Sequence, residues 1–246
     1  MALEVKLSKP PIYEALIDIR FQASDNFTIA NASALARDIR TPEEKTEERH
    51  EFVAHFDLVN DPHATYQPPQ LSAVLLRDDS RCTVRSFRRD GLTASIVKGY
   101  KRWEDLESLA EPVFQAYARH ANPIAVTRVA TRFVNVIEVP HDTIDLDDYV
   151  LHGPQIPGQM LEHVIEFSHR TVLGRKTDKL IGILTIGTNT TAFGQKGDIL
   201  VDVDAFSVEA IGIDFEQVRH VLRRLREMKN SMFFGAVTDH ALERYK

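Results

Sequence analysis

Residues 12–21 read IYEALIDIRF and residues 124–133 read IAVTRVATRF, and this pair of stretches decides how the whole chain is parsed. In the first, Tyr13, Ala15, Ile17, Ile19 and Phe21 share one parity while Glu14, Asp18 and Arg20 fall on the other, which is the alternation of a strand with one buried face. Each stretch follows a proline, Pro11 or Pro123, and each ends in Arg-Phe, at Arg20-Phe21 and Arg132-Phe133. The matched positions therefore differ by 112 (123 − 11 and 132 − 20). Trp103 and Phe215, which open the two long amphipathic segments, are also 112 apart. The spacing predicts an internal duplication, residues 1–121 and 122–246, fused into one continuous body. The expected fold class is α+β: two β-α-β(3–4)-α units, each laying a long helix across one face of a curved antiparallel sheet, in the manner of TATA-binding-protein-like or helix-grip folds.

Outward from the first strand, Asn26 precedes FTIANASALARDI, a short helix with Asn26 as its expected cap. Residues 41–51, TPEEKTEERHE, carry no apolar side chain and read as an exposed connection. Residues 52–59, 71–77, 82–87 and 92–97 read as strands, with Asp78-Asp79-Ser80 and Arg89-Asp90-Gly91 as turns. Cys82, on the parity of Val84, is expected to be a small buried hydrophobe. In the second half, 142–151 reads as a short helix and 160–173, 179–187 and 198–206 as strands. Asp214 with Gln217 is a capping-box signature before the last long helix. The apolar SMFFGAV near the C-terminus offers a homodimer contact.

Composition narrows the function classes. The chain has 246 residues, 43% hydrophobic and 27% charged, enough for a sizeable core. A net charge of −6 gives no global field for phosphates, so a nucleic-acid reading must rest on a local patch. One cysteine excludes an intrachain disulfide framework, and no apolar run reaches the length of a membrane span, so a soluble, cytoplasmic protein is expected.

PPIYEALIDIRF at 10–21, YKRWEDL at 100–106, TRFVNVIEVP at 131–140 and NSMFFGAVTD at 230–239 resemble a sporadically distributed family of bacterial and archaeal proteins of similar length. Arg132, Phe133 and Asn135 match its Arg-Tyr/Phe-x-Asn signature. The resemblance spans nearly the whole chain and implies no catalytic residue or cofactor. Its patchy distribution is similar to that of genes in toxin-antitoxin or phage-defence loci.

Four groups of residues are candidates for chemistry. Tyr13, Arg20, Arg132 and Asn135 would line a small-ligand or anion pocket between sheet and helix, although a salt bridge explains the two arginines as well. Arg81, Arg85, Phe87, Arg88 and Arg89, with Tyr100, Lys101, Arg102 and Trp103, interleave cations and aromatics as a single-stranded nucleic acid or a partner surface requires. Asp198, Asp202 and Asp204 share one strand face, where plain solvation is the preferred reading over a divalent cation. The basic run Arg219, Arg223, Arg224, Arg226 and Lys229 reads as the polar side of the last helix. His163 and His169 are too far apart along one strand to share an ion, and neither His-Glu-x-x-His nor Gly-x-Ser-x-Gly occurs. No metal, cofactor or catalytic residue is expected, and the leading reading is a non-enzymatic protein that binds a macromolecular partner, with a ligand pocket as the alternative.

Overall fold

The computed structural model describes residues 7–24, 26–52, 54–57, 63–66, 68–139, 145–154, 166–189 and 198–246. The elements in chain order are β1 (Ile12–Gln22), α1 (Ile29–Ile39), β2 (Lys45–Glu51), β3 (Ala54–Asp57), β4 (His63–Tyr66), β5 (Gln70–Asp78), β6 (Thr83–Arg88), β7 (Gly91–Val97), α2 (Trp103–Ala121), β8 (Ala125–Glu138), β9 (Ser168–Arg175), β10 (Leu180–Asn189), β11 (Asp198–Ser207), α3 (Phe215–Phe234) and α4 (Asp239–Leu242). The class is α+β: a nine-stranded antiparallel sheet in the order β2-β5-β6-β7-β1-β8-β11-β10-β9, with β3 and β4 forming a separate ribbon.

The two stretches that open the chain's parsing stand at the centre, β1 paired with β8 along nearly their full length. Their shared parity explains the layering. Ala15, Ile17 and Ile19 of β1 and Phe133 of β8 are buried on one face, beneath α1, α2 and α3, and the opposite face carries Asp18, Arg20 and Arg132. The helices are amphipathic with the expected stripes, Leu106, Val113 and Tyr117 in α2 and Val218, Leu222 and Leu225 in α3 being buried. The apolar side chains form two clusters: a larger one under α1, α2 and the first turns of α3, and a smaller one around Ile137, Val201, Phe233 and Val237.

Gly91 shows why the β6–β7 hairpin carries glycine at that position. It opens β7 opposite Arg20, and a Cβ there would lie 2.5 Å from the backbone oxygen of Ile19. Gly91→Ala must therefore push β7 off β1, and we expect chemical denaturation to show a loss of about 2 kcal/mol, as for an overpacked core; an unchanged midpoint would contradict the close approach.

Several local expectations change. Residues 45–51 are the edge strand β2, not a connection: every residue is exposed, because an edge strand with both faces in water needs only backbone pairing, here with β5. The cap of α1 is Thr28 rather than Asn26, in a reciprocal capping box with Asn31. Asp214 does cap α3 through the Glu216 N–H, but the Gln217 side chain accepts from Gly212 N–H instead of closing the box. Cys82 lies in the β5–β6 turn with a left-handed φ of 57°, half-buried and outside any strand. In place of the helix expected over 142–151, the described part holds one 3-10 turn, Leu146–Asp148. The strand expected over 160–173 is seen as β9 from Ser168, its earlier part, with His163, lying outside the described residues. Met232, Phe233, Ala236 and Val237 of SMFFGAV are buried in the smaller cluster, so this stretch supplies core rather than a dimer face. Among the described residues, no helix is long and apolar enough to cross a membrane.

Candidate functional site

The open sheet face carries a lattice of ion pairs. Asp18 accepts from Arg88 at 2.6 Å, Arg128 at 3.0 Å, the Thr93 hydroxyl at 2.8 Å and Arg20 at 3.4 Å. Arg20 also reaches Asp90 at 2.6 Å, Arg128 reaches Asp204 at 3.4 Å, and Arg132 forks onto Asp202 at 2.6 and 2.9 Å. Burial works to raise the Asp18 pKa, but Arg88, Thr93 and Arg20 outweigh it and hold the carboxyl below its ordinary value. On Asp204 burial prevails over Arg128 and Arg132, and the pKa goes up. Four arginines thus meet four aspartates in one lattice, with Glu14 and Arg49 of the same face outside it.

That lattice separates the quartet expected to line one pocket. Arg20 and Arg132 lie on the open face, where both are ion-paired. Asn135 is buried on the helix-covered face and donates to the carbonyls of Phe133 (3.2 Å) and Val201 (2.9 Å). Tyr13 stands at the irregular start of β1, 43% exposed, with the Lys98 amine 5.1 Å from its ring centre. Strand alternation sends residues three apart, such as Arg132 and Asn135, to opposite faces, so no single pocket holds all four.

The basic-aromatic group disperses for the same reason. Phe87 is fully buried in the core and cannot stack on a base. Arg85 shares its face, where it forks onto Glu44 at 2.8 and 2.5 Å and donates to the Ile39 carbonyl, closing the end of α1. Burial of Glu44 is outweighed by Arg85 and the Thr41 N–H, which lower its pKa. Arg88 points the other way, into the lattice. Arg81 and Arg89 are exposed at the hairpin ends, and Arg102 pairs with Asp105 at 2.8 Å. Asp202 and Asp204 belong to the lattice, and among the described residues no cluster of His, Cys, Asp or Glu has the makings of a metal site.

Tyr100 and Trp103 lead elsewhere. After β7 the chain turns through Lys98, at a left-handed φ of 59°, and delivers residues 100–104 against β8 and α3. They wall a half-open cleft of about 440 Å³ with Pro11, Phe133, Asn135, Arg226, Lys229 and Phe233. Its lining comes from both core clusters, Trp103 and Phe133 from one and Val203 and Phe233 from the other, so the cleft sits where they part. Trp103 stacks on Phe133 at 6.3 Å and 13°, and Tyr100 meets the same ring edge-on at 5.3 Å. Burial pushes the Tyr100 phenol up to about 12, so it stays protonated.

Two cations from α3 enter this aromatic cleft. Arg226 lies over Trp103 at 5.5 Å and pairs with Glu104 at 3.4 Å. Lys229 places its amine 3.7 Å from the centre of the Phe133 ring and meets no carboxylate or hydrogen-bond acceptor among the described residues. Burial, with Arg226 adding, lowers its pKa from 10.5 to about 7. The first turn of α2 has no side-chain cap at Arg102 but carries Glu104 and Asp105, which pair with Arg226 and Arg102. The Lys229 amine is thus held against an aromatic wall with no counterion among the described residues.

The Lys229 signal was present in the sequence, inside the run assigned to the polar side of α3. Lys229 follows Leu225 by four residues and precedes Phe233 by four, so it interrupts the apolar stripe itself. Compared with known protein families, with curated proteins and with solved structures, the chain matches none.

Proposed function

We propose that this protein binds a small organic carboxylate in the cleft between the start of α2 and α3, with its carboxylate on Lys229 and its apolar body against Trp103, Tyr100 and Phe133. One observation carries the reading: Lys229 is placed in a preformed, aromatic-walled cleft with no carboxylate beside it among the described residues, whereas Arg20, Arg88, Arg128 and Arg132 of the sheet face are each paired with an aspartate. The cleft favours a small ligand over the macromolecular partner suggested by the absence of catalytic motifs, because the cationic and aromatic groups that converge do so inside a concavity.

Trp103 is the only tryptophan and forms part of the wall, so its fluorescence reports occupancy. Titration with benzoate at pH 7 is expected to change that emission saturably. Lys229→Met should weaken the binding about tenfold or more, the worth of a charge-assisted hydrogen bond. An emission that stays flat, or an affinity indifferent to Lys229, would speak against the proposal.

The architecture also supports the internal duplication. Asp18 and Ala130, which are 112 apart (130 − 18), face each other in the β1–β8 ladder. Leu16 opposite Arg132 and Arg20 opposite Arg128 are then exchanged by the same shift, the register a two-fold axis through that pair would produce. α2 and α3 begin 112 apart as well (215 − 103), consistent with the TATA-binding-protein-like arrangement. Superposition of β1, β7 and α2 on β8, β11 and α3 under that shift tests the idea, and elements that fail to overlay would refute it.

A further inference from the structure

We infer that the ligand of this cleft carries an aldehyde or ketone group, which condenses with the Lys229 amine to form an imine; the inference rests on the carboxylate-binding reading above. Lys229 is an odd choice for a merely electrostatic contact. Where a cation lies flat on an aromatic ring, arginine stacks better and keeps its charge, and Arg226 does this on Trp103 one helical turn away. Lys45 and Lys179 stand exposed and paired with Asp79 and Glu209, and Lys98, over the Tyr13 ring at 5.1 Å, lies just past the end of β7 and outside this cleft. Lys229 instead has its amine over Phe133, beside a second cation and with no acceptor among the described residues to hold it as an ammonium. Desolvation next to another positive charge is a known way of making a lysine nucleophilic at neutral pH.

The ionisable groups that share the cleft do not reverse this. Glu104 is engaged by Arg226 and Arg102 by Asp105, Lys101 adds positive charge, and Tyr100 remains a neutral phenol. A free amine therefore exists at neutral pH. In the step itself the nitrogen lone pair of Lys229 attacks the carbonyl carbon, and the C=O π electrons move onto oxygen. The carbinolamine then expels that oxygen as water, which leaves with the two hydrogens the amine had carried. Nothing is oxidised or reduced, and the imine is the sole new bond to the protein. The Lys229 ammonium first draws in the ligand's carboxylate as above, and once the imine has formed that carboxylate passes to Arg226, the second cation of the cleft.

The probe is 4-carboxybenzaldehyde, incubated with the full chain and cyanoborohydride at pH 7, followed by intact mass and peptide mapping. We expect one adduct per chain, located on Lys229, forming about tenfold faster than on any other lysine. Excess benzoate should suppress it, and the rate should climb from pH 6 to pH 8 before levelling. Lys229→Arg should lose this adduct while exposed lysines such as Lys45 and Lys179 keep their slow wild-type labelling. Adducts scattered over exposed lysines with Lys229 untouched, in a protein that still binds benzoate, overturn the imine and leave the carboxylate reading standing. A protein that neither binds benzoate nor labels at Lys229 loses both, and labelling that benzoate does not slow removes the carboxylate reading together with the inference built on it.

Discussion

Asp18→Ala is expected to lower the unfolding free energy at pH 7 by about 3 kcal/mol, measured by urea denaturation, because it strips the shared acceptor from several cations at once. Asp18 is the hub of the sheet lattice, with Arg88 and Arg128 at 2.6 and 3.0 Å. The side chain of Arg88 is only 16% exposed, and its Nε already lacks a partner. Removing the aspartate leaves a largely desolvated guanidinium with the Thr93 hydroxyl, the Leu92 carbonyl and, at 3.8 Å, the half-exposed Asp90, and breaking one side of a buried pair costs far more than an exposed pair is worth. The pH dependence has a definite sign. The folded pKa of Asp18 lies below the ordinary 3.8, so its contribution is complete above that value and is lost as the pH falls through the folded pKa. The gap between wild type and Asp18→Ala should therefore stay constant from pH 7 to about pH 5 and close in stronger acid. A loss under about 0.5 kcal/mol at pH 7, typical of a surface site, would show that the lattice is ornamental.

Lys229→Met should have the opposite effect on stability and an equally clear pH signature. Methionine keeps the unbranched stem that lies along the cleft and deletes the charge. In the folded chain the Lys229 pKa is about 7, against 10.5 for the free side chain. The unfolded chain therefore holds a proton that the folded chain lacks between these values, and wild-type stability rises with pH across that window. The cost of the buried ammonium is fully present below pH 7 and gone above 10.5. Relative to wild type, Lys229→Met is expected to be more stable at pH 6.5, with the advantage shrinking by about 3 kcal/mol by pH 9.5. Thermal unfolding of both proteins across that range gives the difference directly. A substitution that destabilises equally at both pH values would mean that Lys229 packs as an ordinary surface lysine.

A chain that retains an unfavourable residue needs a reason for it, and a bound anion supplies one. The ligand would return the counterion, restore the ammonium and convert a stability cost into affinity. The same group then accounts for both the mutant's gain in stability and its expected loss of binding, the trade common at functional sites.

What was legible in the sequence follows from how each signal arises. β1, α2 and α3 could be read because each buries one face, and burial writes a period of 2 or 3.6 into the residues. β2 could not, since KTEERHE buries nothing and its pairing with β5 rests on the backbone and a Glu47–Arg77 ion pair, which leave no period in the sequence. The cap of α1 was misplaced by two residues because Asn26 and Thr28 are both good caps, and the choice rests on Asn31 folding back. At the site, single-strand parity was sufficient to predict that Arg132 and Asn135 part company, but their proximity in the motif concealed it. The cleft itself brings together residues 11, 100–104, 133–135 and 226–233, a juxtaposition that only the packing of α2 and α3 over β8 creates. Tyr100 and Trp103 stand near cations in the sequence, but the cations that share their cleft are Arg226 and Lys229 from the far end of the chain rather than the hairpin arginines.

Calorimetric titration with benzoate at pH 8, run in two buffers of different ionisation enthalpy, tests the binding site most directly. One site per chain is expected, with a net uptake of protons as the anion restores the charge of Lys229, and with the uptake absent in Lys229→Met. No binding heat in the wild type, or binding of equal strength and no proton uptake in both proteins, would contradict a carboxylate site built on Lys229.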